Sequence, residues 1–528
     1  MSSTATSLPT TAPADQADLA VIPHSTFRIK KAHLWAIIPL AIAWFAASID
    51  VIEPFDFWWN VKSGEIMMQT GRFLGTDVLT WSPVREPYSN PQWGSQLLFY
   101  WAFSVSPYLL LTVRALIITA TVGLLLWLCT WRSGSLRAGS VATIVAYFAA
   151  WTNYGMRPQL FAFLPFVAFL FLLERKDTDS KWLPLLVPIM ILWVNVHGSF
   201  FLGVAMLGIY GFGTLLEKVR SEEGRAWFRS RAAGWQTLWF ALAGLASLLN
   251  PYTAGIYSYF FAATNDPIAR ALNAEWQSPT IYTGTGQLFI LQVAVLLTSI
   301  YLGKRRLRPT EILLIGAFGY LALTSLRNVM WWGWVTAPII ATNFAFWAEA
   351  RRKTKDERRT AEEPTTDNRQ PTTNSELYPL NLALVAILLV GAVLYTPLWR
   401  QANPLVPAHA KEALAESTPA KLAAFLKSGS VPAPIFNYME WGGYLEWELY
   451  PRYQLFIDGR FEARQVQVWR DYLSISRGRA DWQQTLDHYG ARTLVLNKDF
   501  QADLLPFLTQ SPTWHKVYED KQGLVFTR

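Results

Sequence analysis

The sequence is poor in cysteine, histidine and charge. It contains one cysteine and six histidines in 528 residues, and only 16% of the residues are charged. The lone cysteine, Cys129, excludes an intramolecular disulfide and a thiolate metal site. A charged fraction this low, combined with 52% hydrophobic residues, is atypical of a soluble domain of this length. We therefore expect a polytopic membrane protein.

Basic residues exceed acidic ones, which gives a net charge of +8. A positive charge can indicate a nucleic-acid partner, but here the basic residues form short clusters between hydrophobic runs. Such clusters are typical of cytoplasmic loops that set membrane topology, so we predict no nucleic-acid partner. The clusters are Arg132 and Arg137; Arg175 and Lys176; Lys218, Arg220, Arg225, Arg229 and Arg231; Lys304, Arg305, Arg306 and Arg308; Arg351, Arg352 and Lys353.

Hydrophobic runs long enough to cross a ~30 Å hydrocarbon core recur along the chain. The first covers residues 33–52, and we predict about eleven transmembrane helices in total. The predicted organisation is a disordered cytoplasmic tail (1–31), a transmembrane domain (32–352) with a large first outer loop (53–105), a flexible cytoplasmic linker (353–378) and a last span (379–398). The first outer loop is aromatic, and Trp58 and Trp59 suit anchors at the membrane interface.

Residues 399–528 have a different pattern and indicate a soluble α/β domain on the extracytoplasmic side. Helical periodicity over 410–427 is followed by short strand-like segments at 434–438, 442–449, 453–460, 492–497 and 523–528. Asp458 and Arg460 end one of these segments, where loops commonly carry function. They are site candidates, and the alternative is a structural ion pair.

Three carboxylates, Asp50, Glu53 and Asp56, fall where the first hydrophobic run ends. A carboxylate near the hydrocarbon boundary loses hydration, so acids at this depth are candidates for function. Lys62 follows within the same stretch. It can pair with Glu65 across a helical turn or hold a phosphate as a point charge.

Further polar residues occur at the outer end of each later run. Because such groups must pair with one another or line a wet cavity, we predict that they converge on one cleft. The alternative is a set of independent caps and salt bridges at helix ends. The residues are Asn153, Tyr154, Arg157, Asn195, His197, Asn250, Glu275, Arg327 and Asn328.

Five segments carry a resemblance to a known family. They read F-D-F-W-W-N-V-K-S-G-E at 55–65, T-D-V-L-T-W-S-P at 76–83, P-Q-W-G-S-Q-L-L-F-Y at 91–100, V-N-V-H-G-S-F at 194–200 and E-W-Q-S-P at 275–279. With these segments the chain resembles the GT-C superfamily of membrane glycosyltransferases, in particular the RgtA/B/C/D-like and protein-mannosyltransferase-like branch. Asp56 matches the acid of the D-x-W-W motif, whereas Asn60 stands where that branch has histidine.

The resemblance implies an enzyme integral to the bacterial cytoplasmic membrane. Such an enzyme transfers a sugar from a polyprenyl-phosphate-linked donor to a glycan, lipid or protein acceptor on the outer face. The resemblance also implies inversion at the anomeric carbon and a catalytic acid in the first outer loop.

Inverting transfer needs a carboxylate to take the acceptor's proton and a cation to stabilise the leaving phosphate. Asp56 or Asp50 is the predicted base, and Arg327, Arg157 and Lys62 are the candidate phosphate ligands. Glu53, His197, Glu275 and Asn195 are candidates for positioning the acceptor or binding a metal, for which Mg²⁺ or Mn²⁺ fits oxygen ligands. For His197 the alternative is a hydrogen bond to nearby backbone.

Two other functions remain open from the sequence. One is a non-catalytic GT-C-like protein that binds a polyprenyl glycolipid or organises envelope assembly. The other is a transporter, which would place polar residues near the middle of the bilayer. The polar residues instead gather at one face, with Arg114 as an exception.

Overall fold

The computed structural model describes residues 31–84, 88–219, 222–362, 378–407 and 411–528. The predicted tail up to residue 30 and the part of the predicted linker over 363–377 therefore lie outside the described residues.

Long helices form most of the chain up to residue 394, and their bounds follow the hydrophobic runs. They are α1 (Lys31–Ile49), α2 (Phe57–Thr70), α3 (Trp93–Val105), α4 (Pro107–Ser133), α5 (Leu136–Ala149), α6 (Leu160–Glu174), α7 (Leu186–Val196), α8 (Phe200–Lys218), α9 (Glu222–Trp227), α10 (Arg231–Ala246), α11 (Gly255–Thr264), α12 (Pro267–Leu272), α13 (Gly284–Gly303), α14 (Pro309–Thr324), α15 (Val329–Glu362) and α16 (Tyr378–Leu394).

Each predicted hydrophobic run coincides with one of these helices, namely α1, α4 to α8, α10 and α13 to α16. Within the described parts of the chain, three helices, α4, α8 and α13, are long and apolar enough to cross a membrane. The predicted total of about eleven spans therefore stays a prediction. Helix α15 continues to Glu362, so residues 353–362 are helical and not part of a flexible linker as predicted.

The first outer loop contains helices α2 and α3, and α2 is enclosed by protein. Trp58 and Trp59 are 1% and 6% exposed, so the prediction that they anchor the loop in the membrane interface was wrong. The ring of Trp58 packs edge-on against Tyr444, with centroids 4.9 Å apart. These two indoles are buried under the carboxy-terminal domain instead of contacting lipid headgroups.

The carboxy-terminal domain is an α/β unit with a four-stranded sheet. Its elements are α17 (Ala420–Ser428), β1 (Ile435–Asn437), α18 (Met439–Leu449), α19 (Val466–Ser476), α20 (Trp482–His488), β2 (Thr493–Asn497), α21 (Leu505–Gln510), β3 (His515–Glu519) and β4 (Gly523–Thr527). The strand order is β1-β2-β4-β3. Strand β1 runs parallel to β2, whereas the β2–β4 and β4–β3 pairs are antiparallel.

Three of the predicted strand segments form β1, β2 and β4, and two do not form strands. Residues 442–449 belong to helix α18, and within 453–460 only Leu455 makes isolated bridges. Trp441, Leu445 and Leu449, spaced four residues apart, are all buried, which is the spacing of one helix face. The predicted helix over 410–427 is shortened to α17.

The first outer loop and the carboxy-terminal domain share backbone hydrogen bonds. The amide of Leu455 donates to the carbonyl of Leu79 (3.2 Å), and the amide of Trp81 donates to the carbonyl of Leu455 (3.0 Å). Further bridges pair Val84 with Arg464. The loop and the domain therefore form one continuous structure over the end of the helix bundle.

At the opposite end of the bundle, three arginines from the basic clusters surround two buried glutamates. Arg132 pairs with Glu311 and lies 3.2 Å from Glu174, which also receives Arg308 at 2.9 Å. Arg305 adds a second contact to Glu311 at 2.8 Å. The loops after α4, α6 and α13 thus share one end of the bundle, as the topology prediction requires. That this end faces the cytoplasm stays a prediction.

We expect Gly64→Ala to lower the midpoint of thermal unfolding in detergent. A Cβ at Gly64 would clash with the backbone carbonyl of Gln96 and lie 2.9 Å from the Cβ of Tyr100, and overpacking of this kind costs about 1–3 kcal/mol. Gly211→Ala in α8 is the matched control, because a Cβ there meets nothing within 4 Å. Equal midpoints for the two variants would contradict close packing of α2 on α3.

Candidate active site

Asp56 lies at the amino-terminal end of α2, where the helix begins beneath the carboxy-terminal domain. Its side chain is 35% exposed, whereas the residues from Phe57 to Gly64 are buried. The backbone carbonyl of Asp56 accepts a hydrogen bond from Nδ2 of Asn60 (2.7 Å), and Oδ1 of Asn60 accepts one from Gln96 (3.1 Å). Asn60, which departs from the branch pattern, therefore fixes the first turn of α2.

Two glycines allow the carboxy-terminal domain to approach this turn closely. A Cβ at Gly443 would lie 3.1 Å from both the carbonyl of Phe55 and the amide of Trp59. A Cβ at Gly459 would lie 2.5 Å from Oδ1 of Asp56. Since real Cβ atoms are not found so close, the backbone of residue 459 forms one wall of the space around the Asp56 carboxylate.

A chain of alternating charges runs from Asp56 across three other loops. Nε of Arg157 lies 3.6 Å from Oδ2 of Asp56, and the same guanidinium pairs with Glu275. Arg327 stacks on the ring of Trp276, 4.7 Å from its centroid. Arg157 follows α5, Glu275 precedes α13 and Arg327 follows α14, so these three of the predicted segments meet near Asp56. Asn250 and Asn328 of the same predicted set instead make local hydrogen bonds at their own helix ends, which was the alternative.

Hydrogen bonds join the loops that carry Glu275 and Arg327. Oγ of Ser325 donates to the carbonyl of Glu275 (2.7 Å), and the amide of Leu326 donates to the carbonyl of Gln277 (2.9 Å). Burial acts to raise the pKa of Glu275, but Arg157 and Arg327 hold it below its ordinary value. Glu275 is therefore ionised at neutral pH and fixes the position of Arg157.

His197 lies near Arg327 and is neutral. Burial, reinforced by the positive charge of Arg327, lowers the pKa of His197 to about 3. Its Nδ1 accepts a hydrogen bond from the amide of Ser199 (3.0 Å) and lies 2.8 Å from the hydroxyl of the same residue. The structure thus contains the local backbone hydrogen bond that was the alternative for His197. A neutral imidazole cannot act as a general acid near pH 7.

Two of the predicted reactive residues have partners of their own. Asp50 pairs with the buried Arg114, which also donates to the carbonyl of Tyr154 (2.8 Å). Lys62 is buried against Glu65 (2.6 Å) and lies over the ring of Trp447 at 4.8 Å. Lys62 therefore makes the helical pair that the sequence left open, and it is not among the contacts of the Asp56–Arg157–Glu275 chain.

Two of the predicted positioning residues also have structural contacts. Asn195 accepts a hydrogen bond from the indole of Trp93 (3.0 Å) and donates to the carbonyls of Ile191 (2.8 Å) and Leu249 (2.9 Å). Glu53 is exposed and accepts a hydrogen bond from Ser417 at 3.2 Å. Asn195 joins α3, α7 and the end of α10, and Glu53 ties the outer loop to the segment before α17.

The carboxylates of this region are paired with arginine. Asp56 and Glu275 share the guanidinium of Arg157 between them. Among the described residues, no group of three or more His, Cys, Asp or Glu side chains could hold a metal ion. Binding of Mg²⁺ or Mn²⁺ stays a prediction.

The sequence missed a buried charge network that joins the outer loop to the carboxy-terminal domain. Asp77 is fully buried, and it receives Arg464 at 2.6 Å and Arg460 at 3.1 Å. Arg460 also pairs with Asp458, so these two residues form the structural ion pair that was their alternative. Although burial acts to raise the pKa of Asp77, the two arginines hold it well below its ordinary range. The T-D-V segment at 76–78 contained this acid, but its partners lie almost 400 residues away.

Glu446 of α18 lies at the edge of this network. Burial raises its pKa well above the ordinary value, and the charge of Asp458 adds to the effect. Both causes favour the neutral form of the carboxyl.

A cavity of about 450 Å³ lies beside Asp56 between the outer loop, α11 and the carboxy-terminal domain. Trp59, one turn along α2 from Asp56, and Arg460, which follows Gly459, both line it. Asp56 itself does not line the cavity, which reaches the neighbourhood of the carboxylate through these two residues.

Comparison with solved structures finds several similar chains. The archaeal oligosaccharyltransferase AglB from Archaeoglobus fulgidus, in complex with an inhibitory peptide and a dolichol-phosphate, is similar with a TM-score of 0.54 and 12% identity over 93% of this chain and 74% of that chain. The Archaeoglobus fulgidus oligosaccharyltransferase in the apo form has a TM-score of 0.51, 11% identity and the same coverages, 93% and 74%. ArnT from Cupriavidus metallidurans bound to undecaprenyl phosphate has a TM-score of 0.47 and 14% identity over 94% of this chain and 97% of that chain.

No family model matches the chain, and no curated protein matches it in sequence. The likeness to AglB confirms the predicted GT-C fold. The RgtA/B/C/D-like branch stays a prediction.

We expect Glu446→Gln to change how stability depends on pH. The pKa of Glu446 is raised in the folded protein, so the contribution of this carboxyl to stability is fully present below its unfolded pKa of about 4.3. That contribution is lost as pH rises through the folded pKa. The loss is about 1.4 kcal/mol for each pH unit between the unfolded and the folded pKa. The variant should therefore unfold at a higher temperature than the natural protein at about pH 8, and the two should converge near about pH 4.

Glu448→Gln on the same helix is the control, since Glu448 is partly exposed and pairs with Lys427 at 3.0 Å. Thermal unfolding monitored by fluorescence over the pH series measures both variants. If Glu446→Gln followed the pH dependence of the control, Glu446 would be ionised in the folded state.

Proposed function

We propose that this chain, which has the GT-C glycosyltransferase fold, transfers a sugar from a polyprenyl-phosphate donor to an acceptor hydroxyl with inversion at the anomeric carbon. The observation that carries the proposal is the charge chain Asp56–Arg157–Glu275 with Arg327 beside it. It places a partly exposed carboxylate next to the guanidinium of Arg157, whose partner Glu275 also feels the charge of Arg327, at one end of a helix bundle. Those are the base and the phosphate partners that the reaction needs.

Asp56 is the proposed base. As the acceptor oxygen forms its bond to the anomeric carbon, its proton passes to the Asp56 carboxylate, and the bond from that carbon to the phosphate oxygen breaks. The backbone at Gly459 limits the space in front of the carboxylate. An acceptor hydroxyl is therefore directed toward it from the open side, next to the cavity.

Arg157 and Arg327 are the proposed partners of the leaving polyprenyl phosphate. The phosphate gains negative charge as the bond to the sugar breaks, and fixed guanidinium groups stabilise that charge. Glu275 holds Arg157 in place by direct pairing, and the ring of Trp276 supports the guanidinium of Arg327. Neither arginine has to reorganise during the reaction.

His197 is a proposed positioning residue. Because its pKa is lowered to about 3, its ring is neutral, and Nδ1 already accepts from Ser199. The remaining nitrogen, Nε2, therefore carries the proton and can donate to a sugar or phosphate oxygen.

The lipid chain of the donor has an apolar path to Arg327. Helices α13 and α14 pack on α15, where Trp332 contacts the ring of Phe289 and the carbonyl of Ile315. Large apolar side chains of both helices are exposed, among them Leu297 and Leu323. A polyprenyl chain along α14 would bring its phosphate to the turn that carries Arg327. The dolichol-phosphate bound to AglB is a lipid of this class.

The proposed location is the bacterial cytoplasmic membrane, with the Asp56 region and residues 399–528 on the outer face. The basic clusters at the other end of the bundle support this orientation under the positive-inside rule. The non-catalytic glycolipid-binding protein remains the second candidate, and the same experiment tests it.

We expect Asp56→Asn to reduce sugar transfer from a polyprenyl-phosphate donor by about 100-fold or more, the usual effect of removing a general base. The amide keeps the size of the side chain but cannot accept the proton. Transfer is measured with radiolabelled lipid donor and purified protein in nanodiscs, and donor binding is measured in parallel.

Asp177→Asn is the matched control, because the Asp177 side chain is 52% exposed and its salt bridge is with the neighbouring Lys176, not with the site. Its rate should equal that of the natural protein. Unchanged turnover in Asp56→Asn would remove Asp56 from the mechanism. Donor binding without turnover in the natural protein, across all polyprenyl-phosphate sugars tried, would favour the non-catalytic alternative.

A further inference from the structure

The cavity beside Asp56 lies apart from the groups proposed to bind the leaving phosphate. Its walls come from the end of α2, residues 88–92 of the outer loop, α11 and the carboxy-terminal domain. Asp56, Arg157, Glu275 and Arg327 do not line it. The cavity approaches Asp56 through Trp59 and through Arg460, the residue after Gly459. If Asp56 takes the acceptor's proton, an acceptor held in this cavity would extend from it toward the carboxylate.

Aromatic rings and neutral polar groups both line this cavity. The rings are those of Trp59, Tyr88 and Tyr259. Ser89, Gln92 and Ser258 contribute two hydroxyls and an amide, and in the described parts of the chain these three side chains make no hydrogen bond. They are available to a ligand.

The cavity carries little net charge. Of its described lining residues only Arg460 is ionic, and that guanidinium is already paired with Asp458 and Asp77. Its Nη1 donates to the hydroxyl of Tyr88 (3.1 Å), and its face covers the ring of Trp59 at 5.2 Å. An anionic ligand would find no uncompensated positive charge, and a cationic ligand would meet Arg460.

We propose that this cavity binds a neutral sugar unit of the acceptor, so that the acceptor is a glycan. The inference rests on the proposed function. A pyranose has an apolar face that packs on aromatic rings and an edge of hydroxyls that needs neutral donors and acceptors, and the lining supplies both. A volume of about 450 Å³ lies in the range of small-ligand pockets and accommodates a sugar unit.

The test measures binding of methyl hexosides to the full-length protein in nanodiscs by saturation-transfer difference NMR, without any lipid donor. Neutral methyl glucoside, mannoside and galactoside are compared with methyl glucuronide and with a short neutral peptide. We expect at least one neutral hexoside to bind and the glucuronide and the peptide to give no signal.

Ala262→Trp places an indole in the cavity, because Ala262 lines it, and should abolish hexoside binding. Phe261→Trp is the matched control on the same helix, since Phe261 is 61% exposed and does not line the cavity. Gln92→Ala is a milder variant that should weaken binding about three- to tenfold, the effect of losing one hydrogen bond.

Three results would overturn the inference. The first is that no neutral hexoside binds, and the second is that the glucuronide or the peptide binds equally well. The third is that neither Ala262→Trp nor Gln92→Ala affects hexoside binding. Because no donor is present, these results do not depend on catalysis. Loss of transfer in Asp56→Asn without hexoside binding would leave the proposed function intact and refute the glycan acceptor. If the natural protein bound hexosides but transferred no sugar, and Ala262→Trp lost that binding, the sugar-binding cavity would stand and the proposed transferase function would be refuted.

Discussion

The arrangement of the candidate site depends on how closely the carboxy-terminal domain approaches the first turn of α2. Gly443 lies against the backbone of residues 55–59, and Gly459 lies against the Asp56 carboxylate. A Cβ at position 443 would crowd the backbone of the helix, and a Cβ at position 459 would displace the Asp56 carboxylate. The orientation of Asp56, the shape of the neighbouring cavity and the burial of Trp58 all follow from this contact.

The charged residues of this region are of two kinds, which differ in how far they are buried. The Asp77–Arg464–Asp458–Arg460 group is buried, and its two carboxylates pair with its two guanidinium groups, so its role is to hold the outer loop to the domain. Asp56 and Arg157 are each about a third exposed, so a substrate can reach them. Partial exposure next to a rigid, fully paired network is a typical arrangement for a preorganised site.

Much of the helix pattern could be predicted from the sequence, because long apolar runs such as α4 and α13 leave few alternatives. The convergence of Asp56, Arg157, Glu275 and Arg327 was also predictable, since each follows or precedes a helix at the same end of the bundle. The partner that each charged side chain contacts was not predictable. Lys62 could contact Glu65 or a phosphate, and the outcome depends on Trp447, which is distant in sequence. The same holds for α18, whose two glycines favour no element by themselves and became helical through packing on α2.

The salt bridge between Asp77 and Arg464 also has a consequence for biosynthesis. Residues 53–105 leave the ribosome long before residues 440–465. Asp77 therefore has no contact with Arg460 and Arg464 while the intervening helices are synthesised. Until residues 440–465 are synthesised, the side of the Asp56 carboxylate that Gly459 covers in the folded protein is uncovered. Nascent chains that stop early therefore carry an incomplete pocket, and the order of translation itself delays chemistry until the polypeptide is nearly finished.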